Sequence, residues 1–264
     1  MDTRPIGMFD SGVGGLTVLK EVIEECVGEK VIYLGDTKSF PYGNKTKESI
    51  INLCKNAINF LIKKDVKAII IACGTATSQA LEEMQKCYNI PIIGIIDSTV
   101  EYIKNKGYEN IGVMATRGTI RSNGWKNKID KKIKNANVIN KECPLLAPMA
   151  EEGWTENEIA KLVVAEYLKG LKNIQCLILG CTHYPLFKNA IEEQIGDSVD
   201  VINTGEVLAK SLNEILKEEN IANNKQSTKK YEIYLTDMET NFINVASKLL
   251  KDESIGAKIK LAEY

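Results

Sequence analysis

The sequence predicts an α/β fold with two similar domains, each a mostly parallel sheet flanked by helices. Short apolar runs that end in small or polar residues alternate along the chain with stretches of helical periodicity. This order is typical of parallel sheets that are covered on both faces. A second observation is an internal echo, because an apolar run followed by a cysteine and a polar turn occurs twice. Ligands of such folds bind beyond the carboxyl ends of the strands, so we expect an active site in the cleft between the two domains.

The individual elements follow from the same patterns. The apolar runs predict strands over 5–10, 30–36, 67–73, 90–96, 110–116, 136–140, 176–181, 199–204 and 231–237. Helical periodicity predicts helices over 15–26, 46–64, 76–87, 155–171, 205–219 and 239–251. The polar tract 223–230 is typical of a surface loop, and the strand and helix after it are expected to return to the first half. We therefore predict a first domain of residues 1–97 plus 208–264 and a second domain of residues 98–207.

Composition narrows the class of protein. Lys and Arg (34) nearly balance Asp and Glu (35) in the 264 residues, which argues against a general nucleic-acid or membrane-surface partner. The basic stretch 125–135 has helical spacing and is interpreted as the solvated face of a helix. No apolar stretch approaches the roughly 18 residues of a membrane span, and the N-terminal segment lacks the apolar core of a signal peptide. We expect a cytoplasmic protein.

Seven cysteines without any C-x-x-C spacing predict neither a disulfide framework nor a zinc site. In a cytosol they should stay reduced. Free cysteine is usually a small buried hydrophobe, and we assign that role to Cys26, Cys54, Cys87, Cys143 and Cys176.

Cys73 and Cys181 differ from the other cysteines, because each ends a predicted strand and precedes a polar turn, "GTATS" and "THYP". Helices are expected to begin at these turns, where backbone N–H groups and the helix dipole favour the thiolate and lower the thiol pKa. Two thiols on opposite sides of one small substrate suit inversion at carbon without a cofactor. One thiolate removes a proton, and the other thiol returns a proton to the opposite face.

The only histidine of the chain, His183, lies two residues after Cys181. It could stabilise the thiolate, assign the proton or donate to a substrate carboxylate, and the alternative is a partly buried structural histidine. Because no second histidine and no clustered cysteine accompanies it, we expect no metal.

The segment "FDSGVGG" (9–15) opens from a strand end into a glycine-rich turn. Thr17 occupies the third glycine position of a dinucleotide-binding motif, which argues against that cofactor. The glycines are expected to let backbone N–H groups approach a carboxylate. Asp10 and Ser11 suit a site carboxylate and a substrate hydrogen bond, although an Asp–Ser helix cap is an alternative.

Two further loops occupy corresponding places in the two halves. "GDTKSFPYGNK" (35–45) contains Tyr42 and Gly43, and on its own it could be only a turn. "CPLLAPMAEEGW" (143–154) brings Glu151 and Glu152.

Taken together, these segments resemble the glutamate racemase family. The resemblance runs in order through "FDSGVGGLTVL", "YLGDTKSFPYG", "ACGTAT", "CPLLAPMAEEGW" and "LGCTHYPL". It implies two α/β domains, cofactor-independent interconversion of L- and D-glutamate, supply of D-glutamate for peptidoglycan in a bacterial cytoplasm, and a homodimer.

The resemblance also implies roles for matching residues. Cys73 would take the proton from D-glutamate and Cys181 from L-glutamate. Asp10 and His183 would assist these two thiols respectively, with Glu151 as a further supporting carboxylate. The substrate would be held by Asp10, Ser11, Tyr42, Gly43, Gly74, Thr75, Thr182 and His183.

The chain departs from the family pattern at Gly74, where Asn is usual, and at Asn203, where Asp is frequent. Losing a side-chain amide contact to substrate at position 74 costs on the order of 1 kcal/mol. We therefore expect Gly74 to affect the rate or the substrate preference. Alternatives are a preference for aspartate, a related decarboxylase or isomerase that uses one cysteine, and a catalytically weak paralogue that binds an amino acid or a protein partner.

Overall fold

Two parallel sheets organise the protein, whose computed structural model describes residues 1–223, 230–238 and 240–263. Most of the predicted loop 223–230 therefore lies outside the described residues. The strands are β1 (Ile6–Asp10), β2 (Val31–Gly35), β3 (Ala68–Ile71), β4 (Ile92–Gly94), β5 (Asn110–Ala115), β6 (Asn137–Glu142), β7 (Cys176–Leu179), β8 (Asp200–Asn203), β9 (Tyr231–Leu235) and β10 (Ile259–Leu261).

The helices lie mostly between consecutive strands. They are α1 (Gly15–Glu25), α2 (Lys47–Ile62), α3 (Gly74–Cys87), α4 (Ile95–Asn105), α5 (Arg117–Arg121), α6 (Gly124–Lys132), α7 (Leu146–Glu151), α8 (Glu158–Leu168), α9 (Lys188–Ile195), α10 (Thr204–Glu218) and α11 (Thr240–Leu250). Short 3-10 helices occur at Thr37–Ser39, Tyr42–Asn44, Tyr184–Phe187 and Ile255–Lys258.

The strand order confirms the two-domain α/β class. The first sheet has the order β10-β9-β2-β1-β3-β4 and the second has the order β6-β5-β7-β8. Every pairing between described strands is parallel. The inner part of the first sheet and the whole second sheet follow the same second–first–third–fourth order, as the internal echo predicts. In chain order, Cys73 therefore follows the third strand of the first sheet (β3), and Cys181 follows the third strand of the second sheet (β7).

Helices cover both faces of each sheet, which explains why the central strands are apolar along their whole length. The strands β1, β2 and β3 are buried at every position. One core cluster joins the two sheets and includes side chains of α1, α4 and α10. A second cluster lies under α2 and α3, and a third lies under α7, α8 and α9. The shared cluster holds the two sheets side by side.

The last segment returns to the first sheet, as expected. Strand β9 pairs with β2, and α11 packs against α1. The short strand β10, which pairs with β9, has only three residues and was not predicted. The predicted domain limits fall inside α4 and α10, the two helices that contribute to the shared core.

Three predictions from the sequence differ from the structure at the ends of helices or strands. Helix α4 begins at Ile95, inside the predicted strand 90–96, because Gly94 ends the strand and Asp97 favours the first turn of a helix. Helix α3 begins at Gly74, two residues before the predicted start. The prediction that Cys87 is buried was wrong, since it is exposed at the end of α3.

The basic stretch forms helix α6, as interpreted from its spacing. Trp125 and Ile129 are buried, while Lys126 and Asp130 pair at 2.6 Å on the solvent side. Among the helices of the described residues, none is long and apolar enough to cross a membrane.

Candidate active site

The carboxyl ends of the central strands face each other across a small cavity. Strands β1 and β3 of the first sheet and β5 and β7 of the second end at this place. The cavity has a volume of about 50 Å³. Its lining comprises Ser11, Phe40, Pro41, Tyr42, Gly43, Asn44, Cys73, Gly74, Thr75, Thr116, Arg117, Pro144, Ala147, Pro148, Cys181, Thr182 and His183. Nine of the eleven predicted site residues are in this lining; Asp10 and Glu151 lie behind it.

Cys73 reaches the cavity from the first sheet. It follows β3 and caps α3, its side chain is nearly buried, and its thiol donates to Ser11 Oγ at 3.8 Å. Burial, with the nearby Asp10 carboxylate, raises the pKa of Cys73, and the N–H of Ala76 opposes this only in part. The prediction that the helix start lowers this pKa was wrong for Cys73, because loss of water outweighs the helix N–H group. Cys73 therefore rests as a thiol.

Cys181 reaches the cavity from the second sheet and has a different set of neighbours. Its Sγ lies 3.7 Å from His183 Nδ1, and His183 Nε2 lies 2.5 Å from Glu151 Oε1. Burial opposes charge on the imidazole, but the hydrogen bonds to Cys181 and Glu151 prevail and raise the pKa of His183 well above its ordinary value. The three side chains form a relay in which a protonated imidazole faces the thiol.

Glu151 also joins the two halves. Its Oε1 accepts a hydrogen bond of 3.0 Å from the backbone N–H of Val13, in the glycine-rich turn of the first half. This N–H group approaches a carboxylate, as the glycines predict, but the carboxylate belongs to the protein. Glu152, by contrast, accepts from Asn241 on the surface at 3.2 Å and lies away from the cavity.

The glycines of this turn make room for the second half. A methyl group at Gly12 would overlap Glu151 Oε1, and one at Gly14 would lie 2.5 Å from His183 Nδ1 and 2.6 Å from Thr182 Oγ1. Side chains at these positions would displace the relay of Cys181, His183 and Glu151. Close packing therefore explains the two glycines, and a bound nucleotide is not needed to explain them.

Asp10 is fully buried at the end of β1 and supports the cavity from behind. Its carboxylate accepts from the N–H of Gly12 at 3.1 Å and from Thr182 Oγ1 at 3.1 Å. Burial raises the pKa of Asp10, and nearby His183 opposes this. The hydrogen bond from the Gly12 N–H is the kind that the alternative interpretation, an Asp–Ser helix cap, predicts. The hydrogen bond from Thr182, however, comes from the second half of the chain. The two described hydrogen bonds of the Asp10 carboxylate therefore go to residues other than Cys73.

A cluster of three hydroxyl groups closes another side of the cavity. Thr75 Oγ1 lies 2.9 Å from Thr116 Oγ1 and 3.2 Å from Thr119 Oγ1, and the last two are 2.9 Å apart. Sequence reasoning identified Thr75 but not the two threonines after β5. The internal echo contained the signal, because Thr116 occupies the place of Asp10 in the second half.

Tyr42 belongs to the cavity lining, and its hydroxyl group is engaged by a buried carboxylate. The hydroxyl donates to Asp36 Oδ2 at 2.6 Å, and Thr236 donates to the other oxygen of Asp36 at 2.9 Å. This arrangement fixes the loop that carries Gly43, whose Cα is so close to Thr116 that a methyl group would lie 2.8 Å from its Cβ.

The mouth of the cavity is cationic. Arg117 is half-exposed at the rim and lies 3.7 Å from Glu142. It also lines an outer pocket of about 520 Å³ together with Lys45, Lys47 and Arg121. Hydroxyl groups inside and cations at the mouth suit a small ligand with carboxylate groups.

The fold and the cavity thus define an α/β protein with one thiol from each of two facing sheets. The family described as Asp/Glu/Hydantoin racemase matches residues 13–212. Curated glutamate racemases from Geobacter metallireducens and Aquifex aeolicus are 38% and 40% identical, over 95% and 96% of this chain and 94% and 96% of theirs. A solved glutamate racemase from Francisella tularensis, in complex with D-glutamate, has a TM-score of 0.91 at 38% identity, with coverage of 100% and 98%.

The chain therefore belongs to the Asp/Glu/Hydantoin racemase family, and it is an amino-acid racemase. This confirms the resemblance that the sequence motifs indicate. The family match covers both thiol-bearing turns and the whole of the second sheet.

Proposed function

We propose that this racemase interconverts L- and D-glutamate without a cofactor, with Cys73 and Cys181 as the two bases. The observation that carries the proposal is the pair of thiols, which follow equivalent strands of two facing sheets and line one cavity. Such a pair can address a substrate carbon from both faces. The glutamate racemases that this chain resembles over nearly its whole length support the choice of substrate.

The reaction balances with two proton transfers. From L-glutamate, the Cys181 thiolate takes the Cα proton, and the electron pair stays on a planar carbanion next to the carboxylate. The Cys73 thiol then gives its proton to the opposite face, and its sulfur becomes the thiolate. D-Glutamate runs through the same steps in reverse, with Cys73 as the base.

The neighbours of each thiol match this starting state. The raised pKa of Cys73 keeps it protonated, as the acid of the L-to-D direction requires. The imidazole of His183 lies next to Cys181 and can donate a hydrogen bond to its sulfur, while Glu151 compensates the imidazolium charge. Thiolates act on a weak carbon acid more effectively when water is excluded, and the cavity buries both sulfur atoms.

Several groups are available to orient the substrate. We assign carboxylate and amine contacts to Ser11, Thr75 and Thr182, to the backbone of Tyr42 and Gly43, and to the backbone N–H of Gly74. We add Asp10, which lies behind the cavity lining, and His183, which is part of that lining, to the groups that hold the substrate. Arg117 at the mouth attracts the acidic amino acid.

The physiological part of the proposal rests on the resemblance to glutamate racemases. We propose that the enzyme works as a homodimer in the bacterial cytoplasm, where it supplies D-glutamate for peptidoglycan. We also retain the division into residues 1–97 plus 208–264 and residues 98–207 as the two units between which the substrate binds.

The substrate assignment is tested by polarimetry or circular dichroism with each enantiomer of glutamate and of aspartate. We expect loss of optical activity from both enantiomers of glutamate and a kcat/KM at least tenfold lower for aspartate. Equal or faster turnover of aspartate would reassign the substrate, and no turnover of either would point to a binding role.

A further inference from the structure

Gly74 and the backbone of Gly180 are in close contact beside the cavity, and each glycine is the sequence neighbour of a thiol. Gly74 follows Cys73 and Gly180 precedes Cys181. A methyl group at position 74 would overlap the carbonyl oxygen of Gly180 and lie 3.3 Å from its carbonyl carbon. The obstacle is backbone, so it cannot turn aside as a side chain could.

Both backbones are anchored to their own sheets. The N–H of Gly180 donates to Met114 O in β5 at 2.8 Å, and a methyl group on Gly180 would lie 2.9 Å from Trp125 Nε1. On the other side, the N–H of Ala72 donates to Phe9 O in β1 at 3.0 Å. Any group larger than hydrogen at position 74 would therefore separate the two strand ends rather than bend one of them.

We infer that the Gly74–Gly180 contact sets the separation of the two thiols. This inference rests on the proposed two-thiol reaction and gives Gly74 the part of a positioning residue. Ordinary van der Waals distance between position 74 and the Gly180 oxygen would need a movement of about 1 Å. Because Cys73 and Cys181 are the adjacent residues, the sulfur atoms would move apart by a similar amount.

The contact with Gly180 predicts that an Asn at position 74 would impair catalysis, the opposite of what a missing amide contact predicts. If the chain merely lacked an amide contact to substrate, an Asn there would improve catalysis. In this structure, an Asn would introduce the same obstructing Cβ as an Ala. The absence of a side chain at Gly74 thus allows the two halves to approach this closely.

The experiment compares Gly74→Ala and Gly74→Asn with wild type in two measurements. We expect kcat with glutamate to fall about 10- to 100-fold in both variants, with a smaller change in KM, because misplacement by about 1 Å affects the reaction more than binding. The second measurement is alkylation by iodoacetamide without substrate, followed at each cysteine by mass spectrometry. Cys73 and Cys181 should react faster in the variants.

The other thiols and a second glycine provide the controls. Cys26, at the end of α1, and Cys176, at the start of β7, are buried and should stay protected, which separates local opening from unfolding. Gly256→Ala adds the same methyl group 3.3 Å from the side chain of Ile243 and should leave both measurements unchanged.

Unchanged alkylation of Cys73 and Cys181 in Gly74→Ala would overturn the inference, as would a Gly74→Asn variant faster than wild type. The alkylation pattern does not depend on turnover. A wild-type protein that fails to racemise glutamate would therefore remove the proposed function, while the alkylation result would still decide the role of the contact.

Discussion

The two thiols of the cavity have unequal neighbours, and under the proposed reaction this inequality suits them to different tasks. Cys73 is buried and lies near the Asp10 carboxylate, and both burial and this charge favour the protonated thiol. Cys181 is next to the imidazole of His183, whose Nδ1 lies 3.7 Å from its sulfur. Under the proposed reaction, Cys73 serves as the acid and Cys181 as the base of the L-to-D direction.

The imidazole of His183 should depend on Glu151 for its charge. Glu151→Gln removes the carboxylate that stabilises the imidazolium, so we expect the pKa of His183 to fall. NMR titration is direct, because the chain has one histidine and hence one imidazole signal. We expect kcat/KM to fall about tenfold to hundredfold, the range for a hydrogen bond to a charged group. An unchanged titration would remove Glu151 from the relay.

The same change has a pH-dependent effect on stability. Folding raises the pKa of His183, so the charged pair stabilises the fold fully below the unfolded pKa of roughly 6.5 and loses this contribution as pH rises through the folded value. Wild type should therefore exceed Glu151→Gln in free energy of unfolding most at pH 6, and the difference should shrink toward pH 10.

The strands and turns were predictable from sequence to the extent that local pattern determines them. Apolar runs indicated nine of the ten described strands, and the polar residue at the end of the run identified Asp10, Cys73 and Cys181. The contacts of Thr75 with Thr116 and Thr119 depend on how two sheets face each other, which no local pattern contains. The same reason explains the wrong prediction for the Cys73 pKa, because depth of burial is a property of the assembled layers.

The hydroxyl cluster between α3 and α5 offers a test of how these elements orient the substrate. Thr119 is buried behind the cavity and bonds to Thr75 and Thr116. Thr119→Val removes one of the two hydrogen bonds that hold the Thr75 hydroxyl group. It should raise KM for glutamate about fivefold, corresponding to one net hydrogen bond of about 1 kcal/mol.

A matched substitution separates this effect from general destabilisation. Thr99 in α4 is also buried, and its hydroxyl group donates to Ile95 O at 2.7 Å. Thr99→Val should lower the thermal midpoint by a similar amount without changing KM. Equal KM values in Thr119→Val and wild type would show that the cluster does not position the substrate.

On the scale of the whole molecule, the cavity between the two halves is small. Its volume of about 50 Å³ corresponds to a few water molecules, whereas glutamate has ten non-hydrogen atoms, so we expect the two halves to part when the substrate enters. The core shared by α1, α4 and α10 joins the halves on one side, and the thiol-bearing strand ends meet on another. Under the proposed reaction, burial of this cavity limits the access of water to the thiolate that acts on carbon.

The central claim, that each thiol serves one face of the substrate, is tested most directly by proton exchange at Cα in heavy water. Wild type, Cys73→Ala and Cys181→Ala would each receive D- and L-glutamate separately, with NMR following deuterium and circular dichroism following optical activity. Cys176→Ala, a buried cysteine outside the cavity lining, serves as the matched control.

We predict that wild type and Cys176→Ala incorporate deuterium and lose optical activity from both enantiomers. Either cavity substitution should reduce inversion by at least about 10²-fold, the lower end of the contribution of a general acid or base. Inversion at the wild-type rate in Cys73→Ala or in Cys181→Ala would contradict the two-thiol reaction, because a single remaining thiol would then serve both faces.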